Sequence, residues 1–112
     1  MTTEAANTEI RELAASTWDE ATATTEILLV DFWAPWCGPC LVLGPVLEEY
    51  AATHPSVVLA KVNIDTNEQL AQRFQIMSIP TVMLYVRGEK VLQFTGAISS
   101  GELARRLSSF VK

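Results

Sequence analysis

Apolar and polar positions fall into blocks along the chain, and each block carries the period of one kind of element. Ile27 to Ala34 is nearly continuous in apolar and aromatic residues, the pattern of a central strand covered on both faces. From Pro39 onward Leu43, Val46, Leu47, Tyr50 and Ala51 recur at helical spacing. A helix is predicted there, with Pro39 tolerated in its first turn, a kink at Pro45 and an end at His54-Pro55. Val57 to Asn63 reads as a second buried strand, after which Thr66 with Gln69 is expected to cap a helix carrying Leu70, Ala71 and Phe74. Thr81 to Val86 and Val91 to Phe94 flank Arg87-Gly88-Glu89, the signature of an antiparallel hairpin. Ser99 with Glu102 is expected to cap a last helix that buries Leu103, Leu107 and Phe110. Upstream, Glu9 to Leu13 is predicted as an edge strand, and Thr17 with Glu20 as a capping box opening a short helix that ends before Thr24.

The resulting order, β α β α β α β β α, predicts an α/β fold. Alternating strands and helices pair in parallel through right-handed crossovers, and the terminal hairpin adds an antiparallel edge. The expectation is a central mixed sheet of about five strands flanked on both faces by about four helices. At 112 residues, with no internal repeat or low-complexity tract, the chain is expected to be a single domain over residues 1–112, with a polar, frayed tail over residues 1–8.

Composition narrows the partners. The net charge of −5 opposes phosphate backbones, and the 8 Lys and Arg residues are scattered, so neither nucleic acid nor an anionic membrane is expected as a partner. The long apolar stretch is interrupted by Asp31, which argues against a membrane span. The opening MTTEAANTEI has neither a basic leader with an apolar run nor an arginine-rich, acid-poor composition, and a cytoplasmic location is expected.

The 2 cysteines lie three apart, in WCGPC, between a buried strand and a helix. Cys37 stands at the helix start, where unpaired N–H groups and the helix dipole favour an anion, so its thiolate is favoured and it is the candidate nucleophile. Cys40 follows at a separation that places Cβ atoms roughly 5 to 6 Å apart, within reach of a disulfide, and is the candidate resolving cysteine. Two other readings are weaker. A structural disulfide would close a tiny loop and constrain the unfolded chain little, and tetrahedral zinc needs about four ligands where His54 is the one histidine and no second cysteine pair exists. No metal is expected. His54 closes a helix, where a positive charge is favoured by the dipole, and has no role assigned.

Asp31 and Lys61 each interrupt an otherwise apolar strand. A mutually satisfied ion pair, or a strand end reaching water, is the weaker account of them beside a functional site. Trp33, inside the apolar strand, reads as core packing, and Trp36 as functional.

With WCGPC so placed, the chain closely resembles the thioredoxin family. The shared motifs are VDFWAPWCGPC from Val30 to Cys40, AKVNID from Ala60 to Asp65, Ile79-Pro80-Thr81, Pro45, Gly88 and Gly96-Ala97, so the resemblance runs from about Ile27 to Phe110. It implies the thioredoxin fold and a protein-disulfide reductase that serves cell redox homeostasis. The implied redox group is the Cys37–Cys40 disulfide, with no bound cofactor and electrons from an external reductase, a thioredoxin reductase. The implied partners are disulfide-containing proteins, met by a monomer. It further implies a cis bond before Pro80 and a substrate groove at Trp36, Gly38, Pro39, Met77, Ile79, Pro80, Gly96 and Ala97, where the backbone of Ile79 pairs with an extended substrate strand. In the family the acid matching Asp31 is buried behind the resolving cysteine. Asp31 is therefore expected to exchange a proton with Cys40 while Lys61 tunes it, with desolvation raising the Asp31 pKa against the opposing lysine.

Two positions depart from the family: Leu41, where many thioredoxins carry a basic residue, and Met77, in a loop that often holds a charged one. Either the rim takes partners that depend less on charge, or the changes are neutral. Two further functions stand beside reduction. One is an oxidant or isomerase built on the same thiols, and the other a binding module in which the thiols are incidental.

Overall fold

The computed structural model describes residues 10–112; the tail expected over residues 1–8 lies outside them. In chain order the elements are β1 (Ile10–Glu12), α1 (Ala15–Thr24), β2 (Ile27–Trp33), α2 (Gly38–Thr53), β3 (Val58–Asn63), α3 (Glu68–Arg73), β4 (Thr81–Val86), β5 (Glu89–Thr95) and α4 (Ser100–Leu107). The order is the predicted one. The strands form one sheet ordered β1-β3-β2-β4-β5, with β1 and β2 parallel to β3 and the β2–β4 and β4–β5 pairs antiparallel.

Successive residues of the central strand β2 point to opposite faces, and each face has its own core. Leu29 joins Leu43 and Leu47 of α2, Leu103 and Leu107 of α4, and Leu59 of β3. Leu28, Val30 and Phe32 pack instead with Trp18 and Ala21 of α1 and Leu70 of α3. The second core is rich in rings: Trp18 lies 4.8 Å from Phe74 and 5.7 Å, edge to face, from Tyr85 between centroids. Each aliphatic side chain so buried contributes roughly 1.5–3 kcal/mol relative to exposure. By the same alternation Asp31 shares the face of Leu29, and Lys61 that of Leu59, so both lie under α2.

Several local expectations need correction. The N-cap of α1 is Ala14, and Thr17 is its third residue, accepting from the Ala14 N–H through Oγ1 at 3.1 Å. The helix runs through Thr24, and in its last turns the hydroxyls of Thr22 and Thr24 donate to the carbonyls of Trp18 and Glu20, which satisfies these side chains inside the helix. α3 starts after Asn67, not Thr66, whose hydroxyl donates to Asn63 O. β5 begins at Glu89, leaving a two-residue turn in which Arg87 and Gly88 both have positive φ (50° and 85°), the twist a tight hairpin requires. A one-residue register shift between Leu84 and Tyr85 accommodates the longer strand. At α4 the predicted cap is half present. Ser99 Oγ accepts from Glu102 N–H at 3.1 Å, but the Glu102 carboxylate turns to Arg105 and Arg106.

Candidate active site

The site is built where β2 ends and α2 begins. The turn Ala34-Pro35-Trp36 closes through the Cys37 N–H, which donates to Ala34 O at 3.1 Å. This leaves Cys37 as the N-cap of α2, in extended backbone (φ −93°, ψ 109°), with its Sγ accepting from the Cys40 N–H at 3.2 Å. Pro39, in the first turn, lacks the N–H that would be unpaired there. The helix therefore presents a backbone donor and its positive end to the sulfur, the arrangement that lowers a thiol pKa in the reduced state. Cys37 and Cys40 are joined as a disulfide, with Cα atoms 5.2 Å apart.

The turn leaves the sulfur largely covered. Cys37 is 5% exposed and Cys40 2%, because Ala34 lies with them and Trp33, Ile64 and Ile79 pack against the three. Trp36, Gly38 and Pro39 beside Cys37 are exposed, and Ile79, which packs against the pair, is half-buried. The Ile79–Pro80 bond is cis, as the family resemblance implied. The Ile79 carbonyl oxygen lies 3.8 Å from Cys37 Sγ, and the Pro80 carbonyl accepts from the Gly96 N–H at 2.9 Å, which ties that glycine (φ 88°) to the same loop. Ala97 follows Gly96 and is exposed, and Met77 stands two residues before Ile79 with its side chain in solvent. Of the positions singled out in sequence, Cys37, Cys40, Ile79, Pro80 and Gly96 are thus linked by contacts, while Met77 and Ala97 are linked to the site through the chain.

Beneath α2, Asp31 is 1% exposed, and its Oδ1 has no hydrogen-bond partner among the described residues. Burial pushes its carboxyl up from an ordinary 3.8 to about 6; the Lys61 ammonium opposes the rise and Glu48 adds to it. The expected order of causes therefore holds. Asp31 and Lys61 are register partners on β2 and β3, yet no ion pair joins them. Lys61 Nζ instead lies 3.9 Å from Glu48 Oε2 and 4.6 Å above the centre of the Trp33 ring.

Two contributors were not anticipated. Asp65 accepts from Trp36 Nε1 with both carboxylate oxygens, at 3.1 and 3.0 Å, and so fixes an otherwise exposed indole. Asp65 is itself held by its N–H donating to Asn63 Oδ1 at 2.9 Å, a local turn that the Asn-x-Asp spacing could have signalled. Glu48 had no such signal, since on a helix surface it reads as a solvated charge. Trp33, read as core packing, does pack, but against the cysteines and with a cation on its face. His54 caps the far end of α2, stacked on Tyr50 with ring centres 3.9 Å apart. Among the described residues no three His, Cys, Asp or Glu side chains gather as metal ligands, and no helix is long and apolar enough to cross a membrane.

A redox-active cysteine pair at a helix start, faced by a cis-proline loop on a mixed α/β sheet, defines a thiol–disulfide exchange protein. The thioredoxin family model matches residues 9–109. A thioredoxin of Mycobacterium tuberculosis is 39% identical over 112 residues, covering 99% of this chain and 97% of that one. One of Alicyclobacillus acidocaldarius is 40% identical over 101 residues, covering 89% and 96%. A bifunctional thioredoxin reductase/thioredoxin of Mycobacterium leprae is 42% identical over 98 residues, 87% of this chain but 21% of that longer protein. Among solved structures, a mutant thioredoxin from Halobacterium salinarum superposes with a TM-score of 0.85 at 30% identity, over 95% of this chain and 94% of that one. The chain belongs to the thioredoxin family, and it is a thiol–disulfide oxidoreductase whose redox group is the Cys37–Cys40 pair. Its chemistry needs no bound cofactor, and its substrates are disulfides in proteins.

Proposed function

We propose that this protein is a reductase, with Cys37 as the attacking thiolate, Cys40 as the resolving thiol and Asp31 as the group that takes the Cys40 proton. The observation that carries the reading is the Cys37 sulfur at the N-cap of α2, accepting from the Cys40 N–H. The Cys37 thiolate attacks one sulfur of a substrate disulfide. A mixed disulfide forms and the other substrate sulfur leaves as a thiolate. Cys40 then gives its proton to the Asp31 carboxylate and attacks Cys37 Sγ, the mixed disulfide breaks, and the second substrate sulfur leaves. The dithiol has lost two electrons and the substrate has gained them. Holding the second thiol one turn away makes this step intramolecular and fast.

The backbone of Ile79, beside Cys37 Sγ, pairs with an extended substrate segment between Trp36, Gly38, Pro39, Met77, Pro80, Gly96 and Ala97. Lys61 tunes Asp31. Re-reduction comes from a separate thioredoxin reductase, a partnership supported by the name of the fused Mycobacterium leprae relative. The chain acts as a monomeric single domain in the cytoplasm, where thiols are kept reduced.

The test is insulin reduction driven by dithiothreitol, followed as turbidity. Cys37→Ser should abolish the catalysed rate, and Cys40→Ser should accumulate mixed disulfides with natural substrates, because the first attack proceeds and the release cannot. Catalysed turnover that survives Cys37→Ser overturns the reading.

A further inference from the structure

The column of residues that α2 lays over Asp31 and Lys61 contains a gap and a charge. Cys40, Gly44 and Glu48 recur every four residues and so follow one another along one face of the helix. Gly44 has no side chain in that column, and Lys61 Nζ lies beside it, in contact range at 3.7 Å from where a Cβ would stand. The ammonium is held there by Glu48 Oε2 at 3.9 Å and the Trp33 ring at 4.6 Å. Asp31, the register partner of Lys61, is left with an unpartnered carboxylate oxygen. The lysine that its place in the sheet would assign to Asp31 is thus shared with an acid on the helix.

We propose that Glu48 is a positioning residue for the resolving step: by engaging Lys61 it withholds that charge from Asp31 and keeps the Asp31 carboxylate a strong enough base to accept the Cys40 proton. The inference rests on the role given to Asp31 above. The charged groups that bear on Asp31 are Lys61 from β3 and Glu48 from α2, while β4 places apolar Val82 opposite it. Glu48 acts in two ways of the same sign. Its own negative charge disfavours a second carboxylate nearby, and its pairing with Lys61 weakens the cation that would favour one. Its side chain is 46% exposed, so replacing it with glutamine leaves the core intact.

The experiment follows the Asp31 carboxyl by carbon NMR against pH in the disulfide form of the wild type, Glu48→Gln and Glu48→Asp. The pH dependence of single-turnover substrate reduction is measured beside it. With Glu48→Gln the Asp31 midpoint should fall from about 6 by roughly 0.3 to 1 pH unit, with Glu48→Asp between the two. The acid limb of the rate profile should move down by a comparable amount. An Asp31 midpoint unmoved by Glu48→Gln overturns the proposal and leaves the proton-accepting role of Asp31 standing. A midpoint that falls while the rate profile stays in place overturns both, since Asp31 then does not govern the resolving step. Unfolding midpoints of the two variants no lower than that of the wild type exclude a general loss of structure as the cause.

Discussion

Asp31 ionises at a cost to the fold, and the size of that cost sets a test. Its carboxyl is raised from 3.8 to about 6 by desolvation, which Lys61 only partly offsets. In the window between those values the native state holds more protons than the unfolded chain, so stability falls as pH rises through it. Below the window the penalty is absent; above it the full penalty applies, roughly 3 kcal/mol for a rise of this size. Asp31→Ala removes the buried charge and leaves a small void. The expected change in unfolding free energy is a net gain of about 1–2 kcal/mol near neutral pH and a net loss of about 1–2 kcal/mol at about pH 3, where only the void remains, read from urea unfolding at both. With the role proposed for Asp31, the same variant should slow disulfide exchange, because the group that takes the Cys40 proton is gone. A gain of equal size at both pH values would show that repacking, not the buried charge, is responsible.

At the scale of elements, helix ends decide how firmly the site's supports are held. α2 is capped by the redox sulfur itself, so its first turn is bound up with the chemistry. α4, which packs against α2 through Leu103 and Leu107, is capped by the Ser99 hydroxyl alone. The Glu102 carboxylate is engaged by Arg105 and Arg106, whose hydrogen bonds hold its pKa down to about 2. Ser99→Ala should therefore cost about 1 kcal/mol and lower the thermal midpoint by about 4 °C. Calorimetry measures this.

For the whole molecule, the distribution of exposed apolar surface bears on partner choice. Among the described residues, Trp36, Leu41, Val42 and Met77 are the large hydrophobic side chains that remain exposed; the first three belong to the turn and first helical turns at the cysteines, and Met77 to the loop before Ile79. The net charge is −5, yet the rim itself carries no basic side chain at Leu41 or Met77. Apolar contact is short-ranged and little affected by salt, whereas charge pairing weakens once the screening length drops below about 10 Å. Binding to a reductase or substrate is expected to change less than about twofold between low and physiological salt, and Leu41→Lys with Met77→Lys should make it steeper. Titration by fluorescence at several salt concentrations measures both, and a steep dependence in the wild type counts against the apolar-rim reading.

Element order, the strand–Cys37–helix junction and the two ionisable residues in apolar strands were legible in the chain, because each is a local pattern of period, turn chemistry or exception. The alternation along β2 even sets Asp31 on the face of Leu29. What lies over that face was not legible. Glu48 meets Lys61, Asp65 holds the Trp36 indole, and the Ile79 carbonyl stands at Cys37 Sγ. For Glu48 and Asp65 the partners are distant in the chain and are joined only by the sheet order and the seating of α2, whereas the place of Ile79 beside the cysteines was implied by the family resemblance alone and by no local pattern. Cap positions failed for a related reason: Thr17 and Thr66 had suitable side chains, but the entry path of the backbone put Ala14 and Asn67 at the helix starts. Sequence by itself determined which sulfurs react, through spacing at a helix end; tertiary packing decided how buried, how basic and how approachable their surroundings are.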